Sequence, residues 1–383
     1  MRIGLFTDAY FPIISGVSVS LRTLKAELTK LGHEVFIVTN IHPKSLPEDN
    51  IVRIPGRIMP MNGSDDYVIS KVTRKKVRQI GELKLDLVHC HTEFTMGRLG
   101  RRVARKYNIP MVHTYHTMYE DYCHFISKLF VRPLIFAAKI YSKSFANSAD
   151  KVIFPTIKVQ RKFAEYGYKN ESYIVPTGIY LDKFRKINYK PNDIKQKKAE
   201  LGINEDDFVL LFLGRLSKEK SIEELIIEFA KLLKKNDKLK LLVVGGGPDG
   251  DYFNEVCEKL GICDHLVFTG MIAPTEVGLY YQLADLFVNF SVTETQGLTY
   301  IEALASGVPL LVKYDHNLEG VIIDDFNGLS FTKDEEFEQK YYELVSNKVK
   351  FTEISSNASK AIERFSAEKY ATTVLEIYNN LLK

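Results

Sequence analysis

Val209-Leu210-Leu211-Phe212-Leu213 runs straight into Gly214-Arg215-Leu216-Ser217-Lys218-Glu219-Lys220, and a helical pattern starts near Ser221. Five apolar residues in a row, without alternation, suit a strand covered on both faces, as parallel strands are. The glycine and charges after it form a strand-to-helix loop. This strand–loop–helix step is half of a βαβ unit.

Working outward, the same step recurs. The second half of the chain adds strand candidates Leu241–Val244, Leu266–Phe268, Leu286–Asn289 and Leu310–Val312. The first half offers Ile3–Phe6, Val35–Val38, Leu87–Cys90, Met111–Thr114, Lys151–Phe154 and Ser172–Val175, with helical patterns such as Val19–Leu31 between them. Alternating strands and helices predict α/β architecture with parallel sheets covered by helices. A chain of 383 residues holds about two such domains. The turn-rich stretch around 180–200, from Asp182-Lys183-Phe184-Arg185 onward, reads as the linker. The expected division is 1–180, 181–360 and a final helical segment, 361–383, packing back towards the first domain. Two Rossmann-like domains facing across a cleft would place ligands at the carboxyl ends of both sheets.

Composition narrows the function. With 45% hydrophobic and 26% charged residues the chain is an ordinary globular protein. No apolar run is long enough to span a bilayer, and Met1-Arg2-Ile3-Gly4-Leu5-Phe6 reads as a first strand rather than a signal peptide. Cys90, Cys123, Cys257 and Cys263 form no framework, as expected of reduced cytosolic thiols. The net charge of +4 conceals a division. Residues 1–180 carry 27 Lys+Arg against 15 Asp+Glu, and residues 181–383 carry 25 against 33. Such asymmetry points to an anionic partner for the first half.

Thr293-Glu294-Thr295-Gln296-Gly297-Leu298-Thr299-Tyr300-Ile301-Glu302 is the most informative motif. Gly297 stands where a loop becomes a helix, and the helix runs from Leu298 to Ala305 until Gly307 stops it. Glu294 thus precedes a helix N-terminus and Glu302 lies on the helix. The amides of Gln296, Gly297 and Leu298 then make an anion-binding end with a carboxylate on each side, suited to a nucleotide-sugar. Arg215 and Lys220 share one strand-to-helix loop and supply a fork and a point charge for a diphosphate. Val244-Gly245-Gly246-Gly247-Pro248 is either a close approach to ligand or a tight turn. Ser15-Gly16-Val17-Ser18 follows the first strand, where Gly16 would offer an amide to phosphate. Five of the nine histidines fall between 89 and 124: His89, His91, His113, His116 and His124. They lack the carboxylate or cysteine set of a zinc shell, so no metal is expected, and His116 is the candidate for ligand contact.

The basic excess is patterned. Lys71, Arg74, Lys75 and Arg78 form one helical stripe, Arg98, Arg101, Arg102 and Arg105 a second, and Lys128, Arg132, Lys139 and Lys143 a third. Phe130 and Ile135 lie among the apolar residues beside the third. Basic amphipathic helices fit an anionic membrane surface. No base-reading motif accompanies the charge, so nucleic acid is not expected as a partner.

With these motifs in order, the chain resembles the retaining GT-B glycosyltransferases related to glycogen synthase and the phosphatidylinositol mannosyltransferases, over nearly its whole length. Gly4-Leu5-Phe6-Thr7-Asp8-Ala9-Tyr10-Phe11-Pro12, His113-Thr114-Tyr115-His116-Thr117-Met118-Tyr119-Glu120-Asp121-Tyr122 and the Glu294–Tyr300 segment look more narrowly like bacterial 1,2-diacylglycerol 3-glucosyltransferases. Ser15-Gly16 stands where many relatives have two glycines, and Gln296-Gly297 where they have Phe before Gly.

That resemblance implies transfer of an α-glucosyl group from UDP-glucose to diacylglycerol, with retention, peripherally at the inner face of the cell membrane. It implies a diphosphate held by Arg215 and Lys220 with the amide of Gly16, ribose hydroxyls on Glu302, and sugar hydroxyls on Glu294. The amides at Gln296, Gly297 and Leu298 complete the donor site, and His116 contacts the transferred sugar. No cofactor or metal is required. The alternatives are a glycosyltransferase of the same fold using another UDP-hexose or a soluble or polyprenyl-linked glycan, a nucleotide-sugar 2-epimerase, and a non-catalytic nucleotide-sugar-binding module.

Overall fold

The computed structural model describes residues 1–13, 15–59, 67–119 and 131–383. They form two compact units: Met1–Ile179 with Phe365–Lys383, and Tyr180–Arg364.

The first unit contains β1 (Arg2–Phe6), β2 (Glu34–Asn40), β3 (Ile51–Ile54), β4 (Arg57–Met59), β5 (Tyr67–Ile69), β6 (Leu87–Cys90), β7 (Met111–Thr114), β8 (Lys151–Phe154) and β9 (Ser172–Ile174). Seven strands make a parallel sheet in the order β3-β2-β1-β6-β7-β8-β9, and β4 and β5 pair separately, antiparallel. The order in which strands are added reverses between β1 and β6, the switch point of a doubly wound sheet. Alternate residues of β1 face opposite layers. Ile3 and Leu5 pack with Leu21, Leu24 and Leu28 of α1 (Gly16–Lys30) and with Tyr370, Val374 and Tyr378 of the helix Ala367–Leu382. Phe6 packs on the other face with Leu99 and Val103 of α3 (Thr95–Tyr107) and Val77 of α2 (Arg74–Gly81).

The second unit is contiguous: β10 (Phe208–Leu213), β11 (Leu239–Val244), β12 (Leu266–Phe268), β13 (Leu286–Asn289), β14 (Leu310–Lys313) and β15 (Gly328–Phe331). Its six parallel strands lie in the order β12-β11-β10-β13-β14-β15, with the switch point between β10 and β13. Leu210, Phe212, Leu241 and Val243 are essentially dry and pack against Ile222, Leu225, Ile226 and Phe229 of the following helix. Each buried side chain of this kind contributes about 1.5–3 kcal/mol of apolar transfer.

Several boundaries differ from the expectation. The first helix begins at Gly16 rather than Val19, because Ser15 and Ser18 form a capping box in which each side chain accepts from the other's amide. Gly16 is therefore the first helical residue and not part of a loop ahead of it. The stretch expected as a linker belongs to the second unit: Leu181–Phe184 and Lys186–Asn188 are 3₁₀ turns, and Pro191–Glu200 is a helix opened by its proline. Leu181 and Phe184 are buried there. β15 escapes the periodicity because it starts with a glycine, whose Cβ would stand 2.2 Å from the Leu310 carbonyl oxygen. The helix Val131–Ala146 holds Pro133 in its first turn, where no amide is lost to the ladder.

Candidate active site

In the second unit, both loops at the switch point carry the residues singled out from the sequence. Arg215 leaves the carboxyl end of β10 exposed, with no carboxylate at ion-pair distance among the described residues. Lys220 closes the same loop and places Nζ 2.6 Å from Glu294 Oε1, their side chains only 13% and 21% exposed. The Glu294 loop is fastened to this one: the Thr293 hydroxyl donates to the Glu219 carbonyl at 3.0 Å. The strand ends thus bring Arg215, Lys220 and Glu294 to one rim.

The glycine run resolves as a packing device. A Cβ on Gly245, whose φ is +134°, would lie 1.9 Å from the Gly214 carbonyl oxygen. The Leu216 amide donates to the Gly246 carbonyl at 3.0 Å, and the Asp249 amide to the Leu216 carbonyl at 3.1 Å. These glycines let the loop after β11 clamp the backbone on either side of Arg215.

Gly297 caps the helix Leu298–Ala305 in a left-handed conformation, φ +73°, and contributes no capping side chain. A Cβ there would strike the Tyr300 ring at 2.3 Å, so the tight turn requires glycine. Gln296 is buried, and its carbonyl accepts from Asn317 Nδ2 at 3.5 Å. On the helix, Glu302 accepts from the Tyr281 hydroxyl at 2.8 Å. Burial pushes the Glu302 carboxyl up to about 7, against the lowering effect of that hydrogen bond. Near neutral pH it therefore exists in both forms, able to accept from or donate to a hydroxyl pair.

The first unit has a different constitution at its switch point. His89, at β6, is fully buried; its Nδ1 meets the Tyr378 hydroxyl at 2.6 Å and its Nε2 the Thr114 hydroxyl at 2.7 Å. Its ring lies 4.0 Å from that of His91, and the His91 ring stacks at 5.2 Å on His116. His91 Nδ1 and His116 Nε2 are hydrogen-bonded at 2.9 Å. Burial and the neighbouring histidines hold His89 and His91 far below the ordinary imidazole range. Burial, helped by His113, takes His116 down to about 3. All three rings are neutral at physiological pH. His113 donates from Nδ1 to the Cys90 carbonyl at 2.9 Å, and its Nε2 faces Glu93 Oε1 at 3.3 Å.

Asp8, at the end of β1, ties this rim together. It is half-buried and accepts from the Thr92 hydroxyl at 2.7 Å, Asn40 Nδ2 at 3.0 Å, the Met96 amide at 3.1 Å and the Thr95 hydroxyl. Burial raises its carboxyl above the usual range although all four donors oppose the shift. Sequence reasoning passed over Asp8, although a carboxylate directly after an apolar strand was a visible signal. Tyr281 and Tyr378 left none, because their partners are 21 and 289 residues away.

The basic stripes are on the surface of the same unit. Arg74, Lys75 and Arg78 are exposed on α2 and Arg102 on α3, and Lys71 precedes α2 rather than lying on it. Thr73, Arg74, Val77, Arg78, Arg102 and Lys106 line a cavity of about 580 Å³. On Val131–Ala146, Arg132 is exposed, while Lys139 and Lys143 are half-buried, Lys139 over the Tyr166 ring at 5.2 Å. Ile135 is half-buried; the exposed apolar residues are instead Phe136 and Ile140, at 66% and 53%. Lys128, Phe130 and His124 lie outside the described residues. Among the described residues no helix is long and apolar enough to cross a membrane, and no three His, Cys, Asp or Glu side chains are arranged to hold a metal ion.

Comparison with known proteins fits this architecture. Residues 14–183 match Glycosyltransferase Family 4, and residues 193–378 match Glycosyl transferases group 1. Solved structures share the two-unit GT-B fold. Anabaena Alr3699/HepE in complex with UDP and glucose gives a TM-score of 0.79 at 18% identity, covering 99% of this chain and 100% of that one. Sucrose-phosphate synthase from Thermosynechococcus elongatus gives 0.79 at 19% identity, covering 99% and 98%. Among curated proteins, the alpha-monoglucosyldiacylglycerol synthase of Acholeplasma laidlawii is 38% identical, covering 100% of this chain and 98% of its own. That of Streptococcus pneumoniae is 40% identical, covering 99% and 85%. The chain belongs to the GT-B glycosyltransferases, and within them to the family of the alpha-monoglucosyldiacylglycerol synthases.

Proposed function

We propose that this enzyme transfers an α-glucosyl group from UDP-glucose to the free hydroxyl of 1,2-diacylglycerol, forming monoglucosyldiacylglycerol with retention at the anomeric carbon. The observation that carries this reading is full-length identity of 38–40% to two alpha-monoglucosyldiacylglycerol synthases. The residues at the second unit's switch point are suited to the donor.

The bond between the anomeric carbon and the diphosphate oxygen breaks while the acceptor oxygen bonds to the same carbon. Negative charge grows on the diphosphate and positive charge on the sugar. Arg215, Lys220 and the amides beginning at Gln296, Gly297 and Leu298 stabilise the diphosphate, assisted by the Gly16 amide. Glu294 holds sugar hydroxyls and leaves Lys220 to the diphosphate when the donor binds. Glu302 holds the ribose hydroxyls. His116, neutral, contacts the transferred sugar. The departing phosphate oxygen takes the acceptor's proton, so no side chain serves as base. The charge stabilisation comes from side chains and amides, and activity is expected to survive EDTA.

The acceptor is reached from an anionic membrane surface on the cytoplasmic side. Arg74, Lys75, Arg78 and Arg132 dock on lipid phosphates, and Phe136 and Ile140 on the acyl boundary. The test is incubation with a panel of nucleotide-sugars and diacylglycerol vesicles, followed by mass and NMR analysis of the lipid. Glucosyl lipid formed from UDP-glucose is the expected product; UDP release without a lipid product, or transfer only to a water-soluble acceptor, would refute the reading.

A further inference from the structure

We infer that His91 is a positioning residue for His116: it fixes the His116 ring as the tautomer with hydrogen on Nδ1, so that His116 meets the donor sugar as a hydrogen-bond donor. This rests on the proposed contact between His116 and the transferred sugar.

His91 is short of hydrogen-bonding partners. His91 is 1% exposed, and its Nδ1 is committed to His116 Nε2 at 2.9 Å. Its other nitrogen, Nε2, is buried with no hydrogen-bonding partner among the described residues. Both rings are neutral, so each carries one hydrogen and the short contact uses just one of the two. Two arrangements are available. In one, His116 Nε2–H donates to His91 Nδ1, and the His91 hydrogen sits on Nε2 as a buried, unanswered donor. In the other, His91 Nδ1–H donates to His116 Nε2, and only a bare lone pair is buried at His91 Nε2. Orphaned buried N–H groups are the rarer and costlier defect, so the second arrangement is favoured.

The hydrogen of His116 then has only Nδ1 to occupy. No protein group accepts from that atom among the described residues, and His116 is half-exposed. An N–H is thereby offered to whatever binds beside the ring. The arrangement is supported from behind, since His91 packs on His89, whose two nitrogens are held by Tyr378 and Thr114. His91 cannot turn without displacing that ring. The role parallels the residue that sets the histidine tautomer in a hydrolase triad, here filled by a second imidazole.

The test uses the full chain labelled with 15N-histidine, the His116 signals being assigned with His116→Gln. Nitrogen shifts read the tautomer directly and without substrate. The wild type should show a protonated Nδ1 and a bare Nε2 at His116. His91→Asn keeps an N–H where His91 Nδ1–H stood; it should preserve that pattern and stay within about threefold of wild-type kcat. His91→Leu should lose the pattern and lower kcat about tenfold to a hundredfold, with the KM for UDP-glucose little changed. Hydrogen on His116 Nε2 in the wild type would overturn the assignment, even if His91→Leu does not fold. So would a folded His91→Leu enzyme with wild-type kcat. The two possible failures are distinguishable: full activity in His116→Gln overturns the role of His116 itself, whereas hydrogen on Nε2 beside an inactive His116→Gln overturns only the role of His91.

Discussion

The two switch points of this chain are built from opposite materials. In the second unit the loops after the strands present Arg215, Lys220 and Glu294, with Glu302 on the helix that follows, ionisable groups that are exposed or half-buried. In the first they present His89, His91 and His116, which burial keeps neutral. The overall charge runs the other way, since the half rich in carboxylates holds the cationic rim and the basic half holds the uncharged one. Net charge therefore describes the surface of a domain and not its site. The first unit carries basic stripes on α2, α3 and the helix Val131–Ala146, where they can meet a large anionic object; at the second unit's switch point two cations, Arg215 and Lys220, stand where one diphosphate would fit.

The contrast can be broken at its strongest point by Arg215→Ala. Loss of this donor should lower kcat roughly 10²–10³-fold while far-UV circular dichroism stays unchanged. Unimpaired turnover at saturating UDP-glucose would remove the cationic rim from the mechanism. The complementary change, Lys75→Ala with Arg78→Ala, should weaken binding to anionic vesicles about 30-fold, at roughly 1 kcal/mol per cation. Flotation assays at low and high salt would check this, and equal binding of wild type and variant would move the docking surface elsewhere.

Acid–base behaviour sharpens the comparison further, because the two rims should respond to pH with opposite signs. His116 titrates near 3 in the folded protein against 6.5 for a free imidazole, so the folded state binds fewer protons than the unfolded one across that interval. His116, joined by the lowered His89 and His91, therefore makes the first unit gain stability as pH rises from about 3 to 6.5, three imidazoles against the one raised carboxyl of Asp8. Glu302 titrates near 7 when folded against 4.5 when free, so the folded state binds more protons there. That carboxyl makes the second unit lose stability as pH rises from 4.5 to about 7, and Glu302→Gln should flatten the loss. Hydrogen exchange at several pH values, corrected for intrinsic rates, would report each unit separately; parallel slopes in both would contradict the assignment. The smallest expected effect is on UDP affinity in Glu294→Gln. Removing the carboxylate opposite Lys220 should tighten UDP binding up to about fivefold, the value of one partly exposed ion pair, while turnover falls. Weaker UDP binding by calorimetry would show that Glu294 supports the diphosphate site rather than competing for it.

The architecture was legible because its signals are local. Buried parallel strands such as Leu87–Cys90 and Leu286–Asn289 announce themselves as short apolar runs, and their boundaries agree with the structure. The helix Leu298–Ala305 was legible from Gly297 and Gly307, which take the positive φ that its two ends require. What stayed hidden depends on distant partners. The sequence around 180–200 looks polar and turn-rich, yet Leu181 and Phe184 are buried in the second unit. Gly245 sits in a glycine run suited to a close approach by ligand, but it is the Gly214 carbonyl that comes close to it. Nothing near His89 predicts that Tyr378 holds it.

That last contact has a consequence for how the molecule is made. The ribosome emits residues 1–179 first, but their core is completed by Tyr370, Val374 and Tyr378, which emerge only after the whole of Tyr180–Arg364. The second unit is contiguous and can close as soon as it leaves the exit tunnel. The first must wait, with part of α1 uncovered, so the half of the enzyme synthesised earliest is the half that matures last.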